Sequence, residues 1–189
     1  MEARHLDRLP RLTARAALKA ATRDAHERVD AAFGAHDLAT RAGYARFLLG
    51  QAAALAPIEQ ALTEAGAALL IEAWQEHRRA TLLTADLTAL GLASPSPLPA
   101  PRFADEAELA GGLYVLEGSR MGGAMLRRAV PDCFPSAFLS ARQHPGRWTR
   151  FAASLDTLLY SPQRRDAAVG AASRVFTCFE QAARQVVEA

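Results

Sequence analysis

Lysine is almost absent from this sequence of 189 residues: Lys19 is the only one, and arginine supplies the rest of the 22 basic side chains. The basic residues outnumber the 20 acidic ones only slightly, and they form no cluster interleaved with aromatic residues. A nucleic-acid-binding surface is therefore not expected. A coding bias toward arginine is the simplest explanation for the shortage of lysine, but it makes Lys19 a position to follow.

Cysteine is scarce as well. Cys133 and Cys178 lie far apart in sequence and form neither a C-x-x-C pair nor a disulfide framework. Patterns typical of metal sites are also missing, because the one E-x-x-H runs from Glu2 to His5 and there is no H-x-x-x-H or H-E-x-x-H. We do not expect a zinc or di-iron site built from side chains alone.

Long apolar runs are missing too. The longest weakly polar run, FLLGQAAALAPI, is much shorter than the ~20 residues that cross a bilayer. The first dozen residues carry charges throughout and contain no apolar segment typical of a signal peptide. These absences predict a cytoplasmic protein that does not insert into a membrane.

Alternating runs of β-branched residues are absent, whereas apolar residues recur at helical spacing along most of the chain. The pattern predicts an all-α protein, and the length is suited to one domain over residues 1–189. Residues 1–12 are expected to form a flexible N-terminal extension.

The caps and breaks in the sequence predict seven helices. Four precede a proline-rich linker at 94–101 and three follow it. Before the linker, the expected helices cover about 14–33, 41–56 and 67–79, with a restart or kink at Pro57, and a shorter helix ends at Gly91. After the linker, they cover about 104–129, a segment from about Arg147, and a long helix that begins at Pro162 after the cap Ser161.

The helix expected at 104–129 contains an unusual stretch, GGLYVLEGSRMGG, with five glycines. Each glycine inside a helix costs about 0.5–1 kcal/mol relative to alanine, so the stretch needs an explanation. Gly111, Gly118 and Gly122 share one helical face. That face is either a seam against another helix or a bare backbone surface on which a flat ligand lies.

A polar stripe runs along the first helix. Arg15, Lys19, Thr22 and His26 follow one another at spacings of four, three and four residues. Lys19 and His26 are thus about 10 Å apart along the axis, a distance that suits a haem whose iron meets the imidazole and whose propionate meets the cation. A histidine with a purely structural role is the alternative that spacing alone leaves open.

These two motifs resemble a known family. LKAATRDAHERVD (18–30) is similar to the proximal-helix signature of haem oxygenases, in which a lysine precedes the axial histidine by seven residues. YVLEGSRMGG (114–123) is similar to the glycine-rich distal helix of that family, most closely in members associated with bacterial phytochromes. The resemblance extends over essentially the whole chain.

The resemblance implies a single-domain haem-oxygenase-like helical bundle that cleaves haem to biliverdin, carbon monoxide and ferrous iron. Haem would be both cofactor and substrate, with His26 as its axial ligand. The distal wall would consist of Gly118, Ser119, Gly122 and Gly123, whose bare backbone directs oxygen toward a meso carbon. The residues implied for the remaining haem contacts are Lys19, Arg15 and Tyr114, with Arg147 and Arg150 as further candidates for the propionates. A solvated helix face is the alternative for these last two arginines.

One position departs from the family pattern. Many members have aspartate after the first distal glycine, where it organises waters for proton delivery, and this chain has Ser119, which supplies no charge. Glu117, Arg120 or another group would have to order that water. A haem or tetrapyrrole carrier without chemistry, or a fold relative acting on another small molecule, is therefore an alternative to the enzyme.

The resemblance also implies partners. The chain contains no flavin or iron–sulfur motif, so electrons would come from a ferredoxin or a reductase. A phytochrome would be a possible acceptor of the biliverdin.

Overall fold

The computed structural model describes residues 12–141 and 145–188, and every regular element in these two ranges is helical. The predicted extension at 1–12 lies outside them except for Leu12. The eight α-helices are α1 (Ala14–Ala21), α2 (Arg23–Gly34), α3 (Arg41–Glu64), α4 (Trp74–His77), α5 (Ala80–Ala89), α6 (Glu106–Leu126), α7 (Arg147–Leu158) and α8 (Pro162–Glu188). Short 3-10 turns follow α3 and α6, at Ala67–Leu69 and Arg127–Ala129.

Helix α8 is the centre of the bundle, since α2, α3 and α6 all pack against it. Its apolar stripe supplies small residues at the closest approaches, and Ala168, Ala172 and Ala182 are fully buried. Larger side chains such as Leu55, Ile58 and Leu113 fill the space between α3, α6 and α8. The prediction of an all-helical single-domain fold is confirmed.

Several helices, α3, α6 and α8 among them, begin directly after a residue whose side chain caps them. Thr40 Oγ1 accepts a hydrogen bond from Gly43 N at 3.1 Å, and Asp105 Oδ1 accepts one from Glu108 N at 2.9 Å. Ser161 Oγ accepts one from Arg164 N at 3.3 Å, directly before Pro162 opens α8. Each cap satisfies a backbone N–H that the helix itself leaves without an acceptor.

The first predicted helix is broken in two at Thr22. The buried Thr22 hydroxyl donates to the Leu18 carbonyl at 2.8 Å, and the Thr22 backbone leaves helical geometry there (φ −105°, ψ 7°). Such back-bonding competes with the helical ladder. The chain therefore forms two segments, α1 and α2, although Thr22 N still donates to the Leu18 carbonyl at 3.0 Å and His26 N to the Thr22 carbonyl at 3.0 Å.

The prediction of a helix at 67–79 is wrong. The segment instead contains a 3-10 turn, an irregular stretch and the single turn α4. Contacts distant in sequence hold it, because Trp74 Nε1 donates to Thr63 Oγ1 at 2.8 Å and Arg79 N donates to Glu59 Oε1 at 2.7 Å. Ala73 adopts a left-handed conformation (φ 52°), which ends any continuous helix before Trp74.

Proline 57 lies inside α3, and the helix continues through it to Glu64. Proline has no N–H, so the Ala53 carbonyl one turn earlier loses its helical donor. Leu98 N, in the proline-rich linker between α5 and α6, donates to that carbonyl at 2.9 Å. The linker is therefore attached to α3 at the point where the proline frees an acceptor.

Candidate functional site

The glycine-bearing face of α6 is packed against another helix at one end and open at the other. A Cβ at Gly111 would lie 2.1 Å from the Ala168 carbonyl oxygen in α8, so this position is a close helix–helix seam. A Cβ at Gly118 would meet only Trp148, at 3.9 Å, and a Cβ at Gly122 would meet no atom of the described residues within 4 Å. The helix–helix seam is thus confirmed at Gly111, whereas the backbone at Gly118 and Gly122 is not covered by the described residues.

The uncovered end of this face carries two exposed methionines. Successive residues of a helix are 100° apart, which places Met121 and Met125 within about 60° of Gly118. Their side chains are 50% and 72% exposed. Bare backbone flanked by flexible apolar side chains is a surface suited to a flat apolar ligand.

Tyr114 and Trp148 connect this face to the first helix. Their rings are 5.9 Å apart, and the Arg15 guanidinium of α1 lies 5.5 Å from the centroid of the Trp148 ring. Burial raises the pKa of Tyr114, and the positive charge of Arg15 opposes this shift. The structure therefore brings Arg15 of α1 close to Tyr114 and Gly118 of α6.

His26 lies on α2 with 58% of its side chain exposed. Its Nδ1 is 3.0 Å from Asp30 Oδ2, and its ring packs edge-on against Phe176 of α8 at 5.6 Å between centroids. A carboxylate at Nδ1 favours the tautomer in which that nitrogen carries the proton, which leaves the Nε2 lone pair for a metal. Lys19 is exposed, and no ion pair to it is present among the described residues.

Ser119 lies beside the glycine face, and its hydroxyl both accepts and donates a hydrogen bond. Arg79 Nη2 donates to Ser119 Oγ at 2.8 Å, and Ser119 Oγ donates to the Leu116 carbonyl at 2.8 Å. The Arg79 guanidinium stacks over the Phe138 ring at 5.1 Å, and its buried Nε has no hydrogen-bond acceptor among the described residues. Burial, together with the nearby cation Arg120, lowers the pKa of Arg79 to about 10.

Glu117 lies on the opposite side of α6 and forms a buried ionic cluster. Its two carboxylate oxygens are each 3.0 Å from a guanidinium Nε, Oε1 from that of Arg120 and Oε2 from that of Arg147. The Arg147 guanidinium also contacts the His77 ring, and Arg120 donates to the His77 carbonyl. Arg147 is accordingly not part of a solvated helix face, because it is buried with protein partners.

Arg150 lines a cleft of about 290 Å³ between α7 and the segment before α5. None of the residues that line this cleft belongs to α1, α2 or α6. Its walls combine both signs of charge, with Arg147 and Arg150 on one side and Glu72 and Glu76 on the other. The cleft is thus separate from His26 and from the open glycine face.

Three further residues of the site were not identified from the sequence: Arg79, Trp148 and Met125. Arg79 and Trp148 reach α6 from elements distant in sequence, so no local pattern reports them. Met125 was detectable, because it follows Gly118 by seven residues and so shares its face. Among the described residues, no group of three or more histidine, cysteine or acidic side chains is arranged to hold a metal ion, and no helix is long and apolar enough to span a bilayer.

Comparison with known proteins identifies the fold that this chain shares. No model of a protein family matches the chain. The solved structures that share its fold include a heme oxygenase from Neisseria meningitidis studied with NO and CO bound (TM-score 0.79, 23% identity, 94% of this chain and 93% of that one). They also include the heme oxygenase of Leptospira interrogans (TM-score 0.70, 17% identity, 92% of this chain and 100% of that one). The fold is therefore the all-helical fold of those proteins.

A closer sequence relationship defines the family. A protein named heme oxygenase from Xanthomonas campestris pv. campestris (strain 8004) is 33% identical over 142 residues, which are 72% of this chain and 86% of the relative. The chain belongs to the haem oxygenase family.

Proposed function

We propose that this protein cleaves haem to biliverdin, carbon monoxide and ferrous iron, with the haem between the α1–α2 segment and α6. The observation that carries the proposal is the uncovered backbone from Gly118 to Gly122, flanked by exposed apolar side chains. A side chain at these glycines would occupy the space that a flat ring needs, and the helix bears their cost in stability. Haem, when bound, supplies the iron redox chemistry and is itself the substrate.

His26 is the proposed axial ligand. Its Nδ1 faces the Asp30 carboxylate, so the ring is oriented with Nε2 available to a metal. The T-shaped contact with Phe176 restricts rotation of the imidazole.

Positive charge on α1 is suited to the propionates. Arg15 and Lys19 lie one turn apart and are both exposed, and Arg15 already reaches the Trp148 ring beside Gly118. Tyr114 on α6 has a hydroxyl that already hydrogen-bonds to the Thr22 side chain. Arg147 and Arg150 are weaker candidates, because the first is paired with Glu117 and the second lines the separate cleft.

Arg79 and Ser119 are proposed to order water beside the glycine face. The Ser119 proton is used in the bond to the Leu116 carbonyl, so the hydroxyl accepts further hydrogen bonds but does not donate. The buried Nε of Arg79 is an N–H donor that has no acceptor within the described part of the chain, and the guanidinium carries a positive charge. Arg79 thereby supplies the charge and the donor that Ser119 lacks. Gly123, one turn beyond Ser119, is buried, and a Cβ there would be in ordinary contact with Leu139 at 3.8 Å.

Electrons would come from a ferredoxin or a reductase, as proposed from the sequence, and a phytochrome remains a proposed acceptor of the product. A carrier that binds haem without cleaving it is the second candidate. It is favoured by one observation, that the family's usual aspartate is replaced by Ser119.

The proposal is tested in two stages. Haemin titration should give a Soret band at one equivalent, and reduction under air with ferredoxin, its reductase and NADPH should give biliverdin, identified by chromatography, with catalase present to remove free peroxide. His26→Ala should lose the axial-ligand spectrum and regain it when imidazole is added. A spectrum unchanged by His26→Ala would refute the ligand assignment, and a haem complex that never yields biliverdin would identify a carrier.

A further inference from the structure

Exposed apolar side chains are concentrated at one place on the molecule. Among the described residues, six large apolar side chains are well exposed, and Met121, Met125 and Leu126 are three of them. The other three are scattered over the N-terminus, the turn after α3 and the start of α8. The last two turns of α6 therefore carry a distinct apolar patch.

The two methionines of this patch lie at the position proposed for the haem. Met121 and Met125 are one helical turn apart and share a face with Gly118 and Gly122. A Cβ at Gly122 would meet no described atom within 4 Å, and both methionine side chains are exposed to solvent. A ligand on the bare backbone would contact both sulfur atoms and would shield them from solvent.

Exposed thioethers have a specific redox chemistry. Hydrogen peroxide transfers one oxygen atom to the sulfur: the O–O bond breaks, an S–O bond forms, the sulfur loses two electrons, and the peroxide is reduced to water. The product is a polar, chiral sulfoxide, and reductases return it to the thioether. Two such groups would turn an apolar surface into a polar one.

We propose that Met121 and Met125 are a reversible oxidation site at which hydrogen peroxide lowers the affinity of the protein for haem. This inference rests on the proposed function, since it requires haem to lie against α6. The free protein is the sensitive form, because its thioethers are exposed. The loaded protein is protected, because the ring covers the patch.

The inference has a direct consequence for haem turnover. Under peroxide stress the protein that holds no haem would be modified first, and new haem would enter more slowly into the degradation reaction. Protein already loaded would complete its reaction. The site would thus control loading rather than chemistry.

The test measures oxidation and affinity separately. All samples carry Cys133→Ser, because Cys133 is an exposed thiol, whereas burial raises the pKa of Cys178 to about 11 and keeps that thiol protonated. The free protein is treated with hydrogen peroxide, the peroxide is removed with catalase, and peptides are analysed by mass spectrometry before haemin titration. A parallel sample is loaded with zinc protoporphyrin in the dark, which occupies the site without iron chemistry. The Met121→Leu/Met125→Leu double variant serves as the reference without sulfur on this patch.

We expect one added oxygen at each of the two methionines and a dissociation constant for haemin raised about fivefold or more, as loss of apolar contact at two side chains implies. Methionine sulfoxide reductase should restore the original value. Zinc protoporphyrin should prevent both oxidations, and the double variant should have the same affinity before and after treatment.

Two results would overturn the inference in distinguishable ways. If the fully oxidised protein binds haemin as tightly as the untreated one, or if the double variant loses the same affinity, the inference is wrong while the proposed function stands. If the untreated protein gives no Soret band, the proposed function fails and the inference fails with it.

Discussion

Arg79 donates a hydrogen bond to Ser119 across 2.8 Å, although the two residues are 40 positions apart in the chain. The bond connects the start of α5 to the glycine helix and places a buried positive charge beside a neutral hydroxyl. Serine at this position is therefore one half of a pair whose charged member is elsewhere in the sequence.

Replacing the acceptor should weaken the fold slightly. Ser119→Ala removes the nearer of the two acceptors of Arg79 Nη2 and leaves only the Leu116 carbonyl at 3.5 Å, while alanine recovers part of the loss through its higher helix propensity. We expect the free energy of unfolding to fall by about 1 kcal/mol in urea titrations. Ser119→Asp should instead match or exceed the wild type, because its carboxylate meets the guanidinium. A lower stability for the aspartate variant than for the alanine variant would contradict this pairing.

The Glu117 carboxylate should be far more important to stability than a surface carboxylate on the same helix. Glu117→Gln leaves two buried guanidinium groups without their counter-ion, which costs about 3–5 kcal/mol. Glu106→Gln breaks a partly exposed pair with Arg164 and should cost less than about 1 kcal/mol. Denaturant titration of the two variants side by side measures the difference, and similar losses would show that the cluster is not a unit.

Two glycines on one helical face should respond in opposite ways to alanine. A Cβ at Gly111 would clash with the Ala168 carbonyl, so Gly111→Ala should destabilise the protein strongly or prevent folding. A Cβ at Gly122 meets nothing, so Gly122→Ala should raise the free energy of unfolding by about 0.5–1 kcal/mol. The same Gly122→Ala variant should bind haemin more weakly. If both variants are destabilised equally, the seam extends over the whole face.

Lys19 should influence which biliverdin isomer is formed. The in-plane orientation of the haem decides which meso carbon is presented, and an exposed ion pair worth about 0–1 kcal/mol biases that orientation without fixing it. Lys19→Glu should change the isomer ratio seen by chromatography while the axial-ligand spectrum of the His26 complex is retained. Arg23→Glu, a matched charge reversal one turn along, is the control. An unaltered ratio in Lys19→Glu would remove this residue from the orienting role.

Stability should fall in mildly acidic solution, in part because of His36. Burial, reinforced by Arg46, holds the pKa of His36 below its ordinary value of 6.5, so the unfolded chain binds more protons than the folded protein below that pH. The free energy of unfolding should therefore decrease as the pH falls below about 6.5, by at most about 1.4 kcal/mol per pH unit from this group. His36→Leu should show a shallower decrease. Identical pH profiles for the two proteins would exclude His36 as the cause.

The helix boundaries that the sequence predicted well are those set by local chemistry. Thr40 and the Ser161–Pro162 pair act within one turn of their own position, so their effect is visible in a short window. The prediction for 67–79 failed because this segment is held by hydrogen bonds to Thr63 and Glu59, two side chains of the preceding helix. Helical spacing in that segment reports only which residues are buried.

The candidate site, too, was predicted only where its residues lie close together in sequence. The stripe through Lys19 and His26 and the glycine face of α6 were visible because each lies on one helix. The pairing of Arg147 with Glu117 was not, since 30 residues separate them and an arginine near the start of a helix gives no sign of burial. Spatial pairs of this kind require coordinates.

Proline 57 also affects how the linker before α6 is attached to α3. The Ala53 carbonyl that it frees is bonded by Leu98, and only seven residues separate Leu98 from Glu106, where α6 begins. A linker of that length reaches at most about 29 Å when it is fully extended. The one backbone hydrogen that α3 lacks therefore ties the chain to the middle of α3 shortly before α6 begins, and Glu106 has to lie within that distance of the attachment point.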